Sequence, residues 1–521
     1  MCRKDGVCVF QNIPDRTACD DLKSCTLADV CSAGACVGSQ RNNTTGDWNL
    51  TPETGKGAIR SVSLDDFEKG AAVAGTFDRS VVFGKFTVSV AAGSVGAYVA
   101  LYATDKTVVA AKTVMQVQRG GSLVVADLAV HSDGSFVLVG IATGVVSFPT
   151  DPKFAGFTTE GAQPFVAAFD AAMNPRWFRR GFNGSGAAVA VDGYADNSVI
   201  VVGTLSQSLD LETGRRAPFP LTNPGTFAAI YDNAGALLSA ATVVTQDLQD
   251  IKVAVSDDAG VAAIQGTGIA ELNIGGKETF SSLGGKDVFL FAVAQDLQVA
   301  WAQQIGTVLD DETGGVTAFS GKGGAFASFV STTGSKAVVR SNNIGTSLLH
   351  GLGTGAQQAH LVTLSKSGVP INAALFANRK GMAVRAWDVQ APSKSDQLTV
   401  VGTFTVNTEI FSSVGFGDGP PVAAADRTIN GSDGVNLFSA RFRSDSLKNV
   451  WGINLRGTNA GLGVKGNDVL VTVHPDLSAT ATGIFTNDAS FGDQVVNPLA
   501  TGLGAFFLSH FNSAAQYDFC P

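Results

Sequence analysis

A unit of about 60 to 70 residues returns seven times after Ser61, and no other feature of the chain constrains the fold as strongly. The period is too long for helical solenoid repeats and suits the blades of a β-propeller. Each unit opens on an alternating apolar run, passes a Gly-Thr-Phe-like step and crosses a loop rich in Gly, Ser and Pro. It closes on a Phe-Val-x-x-Phe-Asp-like strand and a turn into one more apolar strand. The sequence therefore predicts an all-β chain, a seven-bladed β-propeller of four-stranded blades.

The glycine step appears at Gly75, Gly140, Gly203, Gly266, Gly402 and Gly483, with a degenerate copy near Phe329-Val330-Ser331 in the fifth unit. The closing strand recurs around Tyr98, Phe165, Phe227, Phe289, His360, Leu437 and Phe506. Alternation at period two places its large residues on one face, where they pack against the next blade. Several units end on a tryptophan, Trp177, Trp301 and Trp451, and Trp48 fits the same pattern although it precedes the first complete unit. The strand around Trp48 is thus expected to be the outermost strand of the last blade, closing the ring by hydrogen bonds and removing an exposed sheet edge. Phe519, at the tryptophan position of the seventh unit, offers the alternative that the C-terminus finishes its own blade.

With 61 Gly, 33 Phe, only 4 Met and 16% charged residues, the chain is rich in turn and pleated-sheet formers and poor in helix formers. A length of 521 residues ordinarily suggests several domains, but one closed ring of repeats absorbs it. The net charge is −9, the pI is near 5.1, and no Lys/Arg run is evident. This argues against nucleic acid or an anionic membrane as partner. No apolar stretch approaches the ~20 residues of a transmembrane segment.

The chain divides into residues 1–40, a cysteine-rich module, and residues 41–521, the propeller. Six of the 7 cysteines, Cys2, Cys8, Cys19, Cys25, Cys31 and Cys36, lie in the module, which has too few large apolar residues to fold on a core alone. Their gaps of five, ten, five, five and four residues contain no Cys-x-x-Cys hook, which favours disulfides over a zinc ribbon. Six cysteines allow 15 pairings, and the sequence selects none of them. Disulfides imply an oxidising compartment, although Met1 to Gly6 lead into no apolar signal segment.

The run from Cys19-Asp20-Asp21 through Cys25-Thr26, Asp29, Cys31, Gly34 and Cys36-Val37-Gly38 resembles a small cysteine-rich module of large exported myxobacterial proteins, where it repeats in tandem. The resemblance implies that Cys2 and Cys8 are the tail of a preceding copy, with the export signal further upstream. Cys520 is left over, and one of Cys2 and Cys8 is its expected partner if both chain ends meet at one blade. The propeller units resemble the repeats of bacterial seven-bladed β-propellers of cell-surface proteins. The nearest copy is Gly284-Gly285-Lys286-Asp287-Val288-Phe289-Leu290 through Trp301. That resemblance implies fold and location rather than an activity.

Propeller enzymes gather acids, bases or metal ligands where inner strands converge on the channel. Read from the sequence, the inner strands are largely uncharged, with Asp127, Lys252 and Arg385 as isolated charges. His131 and His474 end inner strands ahead of Ser132-Asp133-Gly134 and Pro475-Asp476-Leu477, which are turn formers. His350, His360 and His510 lie on separate strands without a metal-ligand spacing, and no serine sits in a Gly-x-Ser-x-Gly elbow. Asp192-Gly193-Tyr194-Ala195-Asp196-Asn197 and Ser256-Asp257-Asp258-Ala259-Gly260 pair carboxylates in short loops. Hairpin turns account for these acids, with calcium as the alternative. The loop between second and third strands varies most, up to Ser412–Asn436 with Pro420-Pro421. It is either a binding surface or a drifted spacer.

The sequence reading is a secreted or cell-surface structural and interaction propeller without catalytic, cofactor or metal site. Its partner would be a protein or a glycan at the cell surface, in adhesion or another protein–protein role. A lectin-like, carbohydrate-binding propeller is the alternative, and a polysaccharide-acting enzyme a more distant one.

Overall fold

The computed structural model describes residues 26–511 apart from short segments, the longest being 41–47, 51–58, 415–426, 455–468 and 497–504. Cys2, Cys8, Cys19, Cys25, Phe519 and Cys520 lie outside the described residues. Among those described, all regular structure is β-strand, and no helix is long and apolar enough to cross a membrane.

From Ile59 onward the described strands fall into consecutive antiparallel units. In the second unit, Ser122–Val130, Phe136–Ser147, Phe157–Phe169 and Pro175–Phe182 pair in that order. The innermost strands of the other units are Ile59–Phe67, Gly186–Gly193, Gln249–Ser256, Glu312–Ala318, Val384–Gln390 and Val469–Val473. Each touches the innermost strand of the next unit, and Val469–Val473 touches Ile59–Phe67, so the units stand around one axis as a propeller. The seventh unit continues with Ala479–Phe485 and Ala505–Phe511, and its outermost strand is Trp48–Leu50, with Trp48 opposite His510. A strand from the N-terminal side thus pairs with Ala505–Phe511, the last of the described strands, along an edge that would otherwise be open.

The glycine step has a steric cause. Gly75, Gly140, Gly203, Gly266, Gly402 and Gly483 sit directly opposite Tyr98, Phe165, Phe227, Phe289, Phe438 and Phe507 on the third strands. A Cβ on Gly203 would stand 2.0 Å from the Ala187 carbonyl oxygen and 2.6 Å from the Phe227 ring. Gly402 is crowded in the same way by the Arg385 carbonyl and the Phe438 ring, both at 2.4 Å. The carbonyls reach these positions because the first strands are bulged there. The third-strand ring then fills the space that a second-strand side chain would take, an aromatic rescue of a sheet glycine. The fifth unit inverts the pair, with Phe329 on the second strand opposite Leu361 on the third.

The hydrophobic core is a series of layers between units. Ala129, Val137, Val166 and Trp177 of the second unit pack with Val191, Val201, Phe227 and Tyr231 of the third. Leu470 of the seventh unit reaches the core of the first. Each large apolar side chain buried in such a layer contributes roughly 2 kcal/mol, so most of the stability lies between units. The tryptophans add a polar tie. The Trp177 indole N–H donates to the Asn233 carbonyl of the third unit at 3.0 Å, and Trp301 makes the same bond to Lys366 of the fifth at 3.0 Å.

The variable loops between second and third strands of the third to sixth units are hairpins that lie on a neighbour, whereas Ser80–Phe83 with Phe86–Ser89 and Ala489–Phe491 with Gln494–Val496 form separate two-stranded ribbons. Leu209–Leu211 with Phe219–Leu221 extends the third unit back onto the outer strand of the second. Leu272–Ile274 with Glu278–Phe280 does the same to the third unit, and Lys336–Ser341 with Gly345–His350 to the fourth. Asn407–Val414 with Arg427–Asn430 extends the fifth. These loops are therefore neither drifted spacers nor free loops but covers for the outer edge of the preceding unit.

Candidate functional site

Inner-strand carboxylates converge on the axis, which corrects the reading of largely uncharged inner strands. Asp65 accepts from the backbone N–H of Val130 at 2.6 Å and of Asp66 at 2.7 Å. Asp127 accepts from Val191 N–H at 3.0 Å, Leu128 N–H at 2.9 Å and the Ser63 hydroxyl at 2.9 Å. Asp192 accepts from Val255 N–H at 2.6 Å, and Asp388 from Val471 N–H at 3.0 Å. Each carboxylate thereby caps an N–H on the bare inner edge of the following unit. Asp65 and Asp192 stand opposite Ala72 and Ile200, three residues before the glycine step, whereas Asp127 and Asp388 stand opposite Val139 and Val401, one residue before it. The four therefore lie at two levels of the inner strands, and no single position of the repeat carries them.

Burial pushes Asp65 well above the usual carboxylate range, opposed by its bond from Val130 and reinforced by the charge of Asp192. Burial also raises Asp127, and it lifts Asp388 to about 6, with the positive charge of Lys252 opposing both shifts. Lys252 is thus an electrostatic partner of two axial carboxylates rather than an isolated charge. Arg385 is held at 2.6 Å by Glu312 of the fifth unit and lies over the Trp387 ring at 4.4 Å.

His131, Tyr194 and His474 open equivalent turns, each donating its N–H to a serine carbonyl, Ser135, Ser198 and Ser478. Asp133, Asp196 and Asp476 in these turns accept both the N–H and the hydroxyl of the same serines. The serine hydroxyl bonds hold Asp133 and Asp196 below the usual range. Of the two calcium candidates, Asp192 belongs to the axis and Asp196 to the turn, so they do not share a loop site. Asp258 accepts from the Ser320 hydroxyl at 2.7 Å, and Asp257 lies outside the described residues. Among the described residues no three His, Cys, Asp or Glu side chains are grouped to hold a metal ion.

Where the last unit meets the first, a buried polar chain forms that sequence spacing did not suggest. His474 Nδ1 stands 2.7 Å from the Asp66 carboxylate and its Nε2 stands 2.9 Å from the Thr480 hydroxyl, which is in turn 3.0 Å from His510 Nδ1. Burial pushes His510 down to about 4, and the charge of His474 lowers it further. The order Asp–His–hydroxyl is that of an activated nucleophile. Thr480, however, is 1% exposed and shares its oxygen with His510, so the chain is a tie across the seam.

An open groove lies on the rim between the second and third units. It has a volume of about 490 Å³ and is walled by Phe157, Arg176, Trp177, Arg179, Arg180 and Glu212. A bulge leaves Arg176 without a register partner between Pro175 and Trp177, and its side chain is exposed. Arg179 donates through Nε to the Gly235 carbonyl at 2.7 Å and through Nη1 to the Phe178 carbonyl at 2.6 Å. Arg180 pairs with Glu212 at 3.0 Å, donates to the Thr158 carbonyl at 2.6 Å and lies over the Phe157 ring at 5.6 Å. Phe157 stacks on Phe178 with ring centroids 4.0 Å apart. Three arginines within Arg176–Arg180 of an acidic chain were the available signal, interrupted by Trp177 and Phe178 and so not a run.

No family model and no curated protein matches the chain. Among solved structures, it is similar to a Dos1 propeller at 10% identity over 68% of this chain and 90% of that one, with a TM-score of 0.33. It is also similar to a europium-containing methanol dehydrogenase at 11% identity over 91% of this chain and 95% of that one, with a TM-score of 0.32.

Proposed function

We propose that this chain is a seven-bladed β-propeller, preceded by a disulfide module over residues 1–40, that works in secreted form or at the cell surface. Its role is structural and interactive, without catalysis. The observation that carries this reading is that the charges on the axis are engaged in building the ring. Asp65, Asp127, Asp192 and Asp388 each accept a backbone N–H from the next unit. A general acid or base must instead reach the proton it transfers. The rim groove, by contrast, is open and lined by guanidinium groups. For the module, the hairpin of Thr26–Ser32 and Ala35–Gln40 sets Cys31 opposite Cys36 in register.

The test is to screen the purified chain on a glycan array and against surface-protein extracts, and to analyse every bound compound by mass spectrometry after prolonged incubation. Binding that returns the compound intact is the expected result. A converted compound whose formation disappears in Asp388→Asn would refute the non-catalytic reading.

A further inference from the structure

We propose that the rim groove between the second and third units binds an acidic glycan, a sugar chain bearing carboxylate or sulfate groups. This rests on the reading of the chain as an interaction propeller and names the ligand class of one of its surfaces. Guanidinium forks match the two-oxygen edge of a carboxylate or sulfate, and their donation is charge-assisted. Here the guanidinium groups of Arg179 and Arg180 are held in place before any ligand arrives. Carbonyls of Phe178 and Gly235 hold Arg179, and Glu212 and the Thr158 carbonyl hold Arg180. A ligand would therefore order little on binding. Arg176 is exposed, with a 3.5 Å contact to the Asn233 carbonyl, and is the adaptable donor of the three.

The other walls fit a sugar. Phe154, Phe157 and Trp177 supply apolar surface beside the guanidinium groups, and the volume of about 490 Å³ falls within the range of small-ligand sites. The charge balance separates this ligand from nucleic acid. Three arginines face one carboxylate, Glu212, within the groove, while the chain as a whole carries −9. A long uniform polyanion would meet that repulsion beyond the groove, whereas a short acidic sugar segment meets only the local positive field.

The full chain is titrated calorimetrically with tetragalacturonate, its fully methyl-esterified form, a sulfated carrageenan tetrasaccharide, which bears no carboxylate, and octathymidylate. The acidic tetrasaccharides are expected to bind, with the carboxylated and sulfated probes separating the two sources of charge. The methyl ester is expected to bind about tenfold more weakly or less, and affinity to fall between 50 and 300 mM salt. Arg176→Glu should weaken binding about tenfold with an unchanged thermal midpoint. Glu212→Gln, which removes the carboxylate of the groove, should strengthen it, a gain that misfolding cannot produce. Equal binding of the methyl ester, wild-type affinity in Arg176→Glu, preference for octathymidylate, or no binding of either acidic probe would each overturn the inference. A bound probe recovered in shortened form would leave the glycan site standing and refute the non-catalytic reading. Failure of both probes to bind would leave that reading intact.

Discussion

Replacing Gly235 by alanine should cost about 3 to 4 kcal/mol, because two separate penalties meet at that residue. Gly235 has φ +77°, and a residue with a Cβ pays roughly 1 to 2 kcal/mol in the left-handed region. The new Cβ would also stand 2.6 Å from the Trp177 ring, so the indole must shift. The shift loosens its 3.0 Å bond to Asn233, worth about 1 kcal/mol, and forces repacking worth about 1 kcal/mol more. Gly260→Ala supplies the control, since φ is +66° there and nothing lies within 4 Å of its Cβ, so only the backbone penalty applies. Urea unfolding followed by tryptophan fluorescence should separate the two variants by about 2 kcal/mol. Trp177→Phe should recover part of the Gly235→Ala loss in a double-mutant cycle. Equal losses in the two glycine variants would refute the claim that the turn of one unit is locked onto the tryptophan of another.

Asp127→Ala strips the acceptor from Leu128 N–H, Val191 N–H and the Ser63 hydroxyl and should cost about 2 to 4 kcal/mol in chemical denaturation. Asp127→Asn, which keeps one carbonyl oxygen, should cost less. His360 is pushed down to about 4 by burial, so the unfolded chain takes up the extra proton and stability falls as pH drops from about 6.5 toward 4. His360→Leu should therefore be about 2 kcal/mol more stable relative to wild type at pH 5 than at pH 7.5, and an unchanged pH slope would refute the assignment. Asp388, raised to about 6, has the opposite sign: its contribution is full below about pH 4 and is lost as pH rises through 6, so Asp388→Asn should flatten that limb of the stability profile. Non-reducing peptide mapping should find Cys520 linked to Cys2 or Cys8, and alkylation of Cys520 without reductant would rule that bridge out.

What the sequence made legible was whatever repeats locally. The glycine step and the third-strand aromatic are two halves of one steric pair, and the tryptophan marks the end of a unit, so all three recur at readable spacing. The axial aspartates escaped because Asp65 and Asp192 occupy one level of the inner strands and Asp127 and Asp388 another, so they do not recur at one position of the repeat. The covering hairpins escaped because strands as short as Leu209–Leu211 and Leu272–Ile274 carry no periodicity of their own. The Asp66–His474 bond joins residues 408 apart, a separation that no local pattern encodes. Arg176, Arg179 and Arg180 were visible as residues, but their convergence depends on Phe157 and Glu212 arriving from two other segments.

The overlapping hairpins have a consequence for how such a ring can change. The stretch of sequence that repeats and the block that can be removed without damage are not the same. Excising any of the third to sixth repeats takes away its own strands and also the flap laid over its predecessor, exposing an apolar, unpaired margin. Exchange between rings should then succeed only when the crossover falls between a hairpin and the third strand of the same unit, so that each flap travels with the surface it covers. Like overlapping roof slates, the pieces come away cleanly only along a line offset from their visible edges.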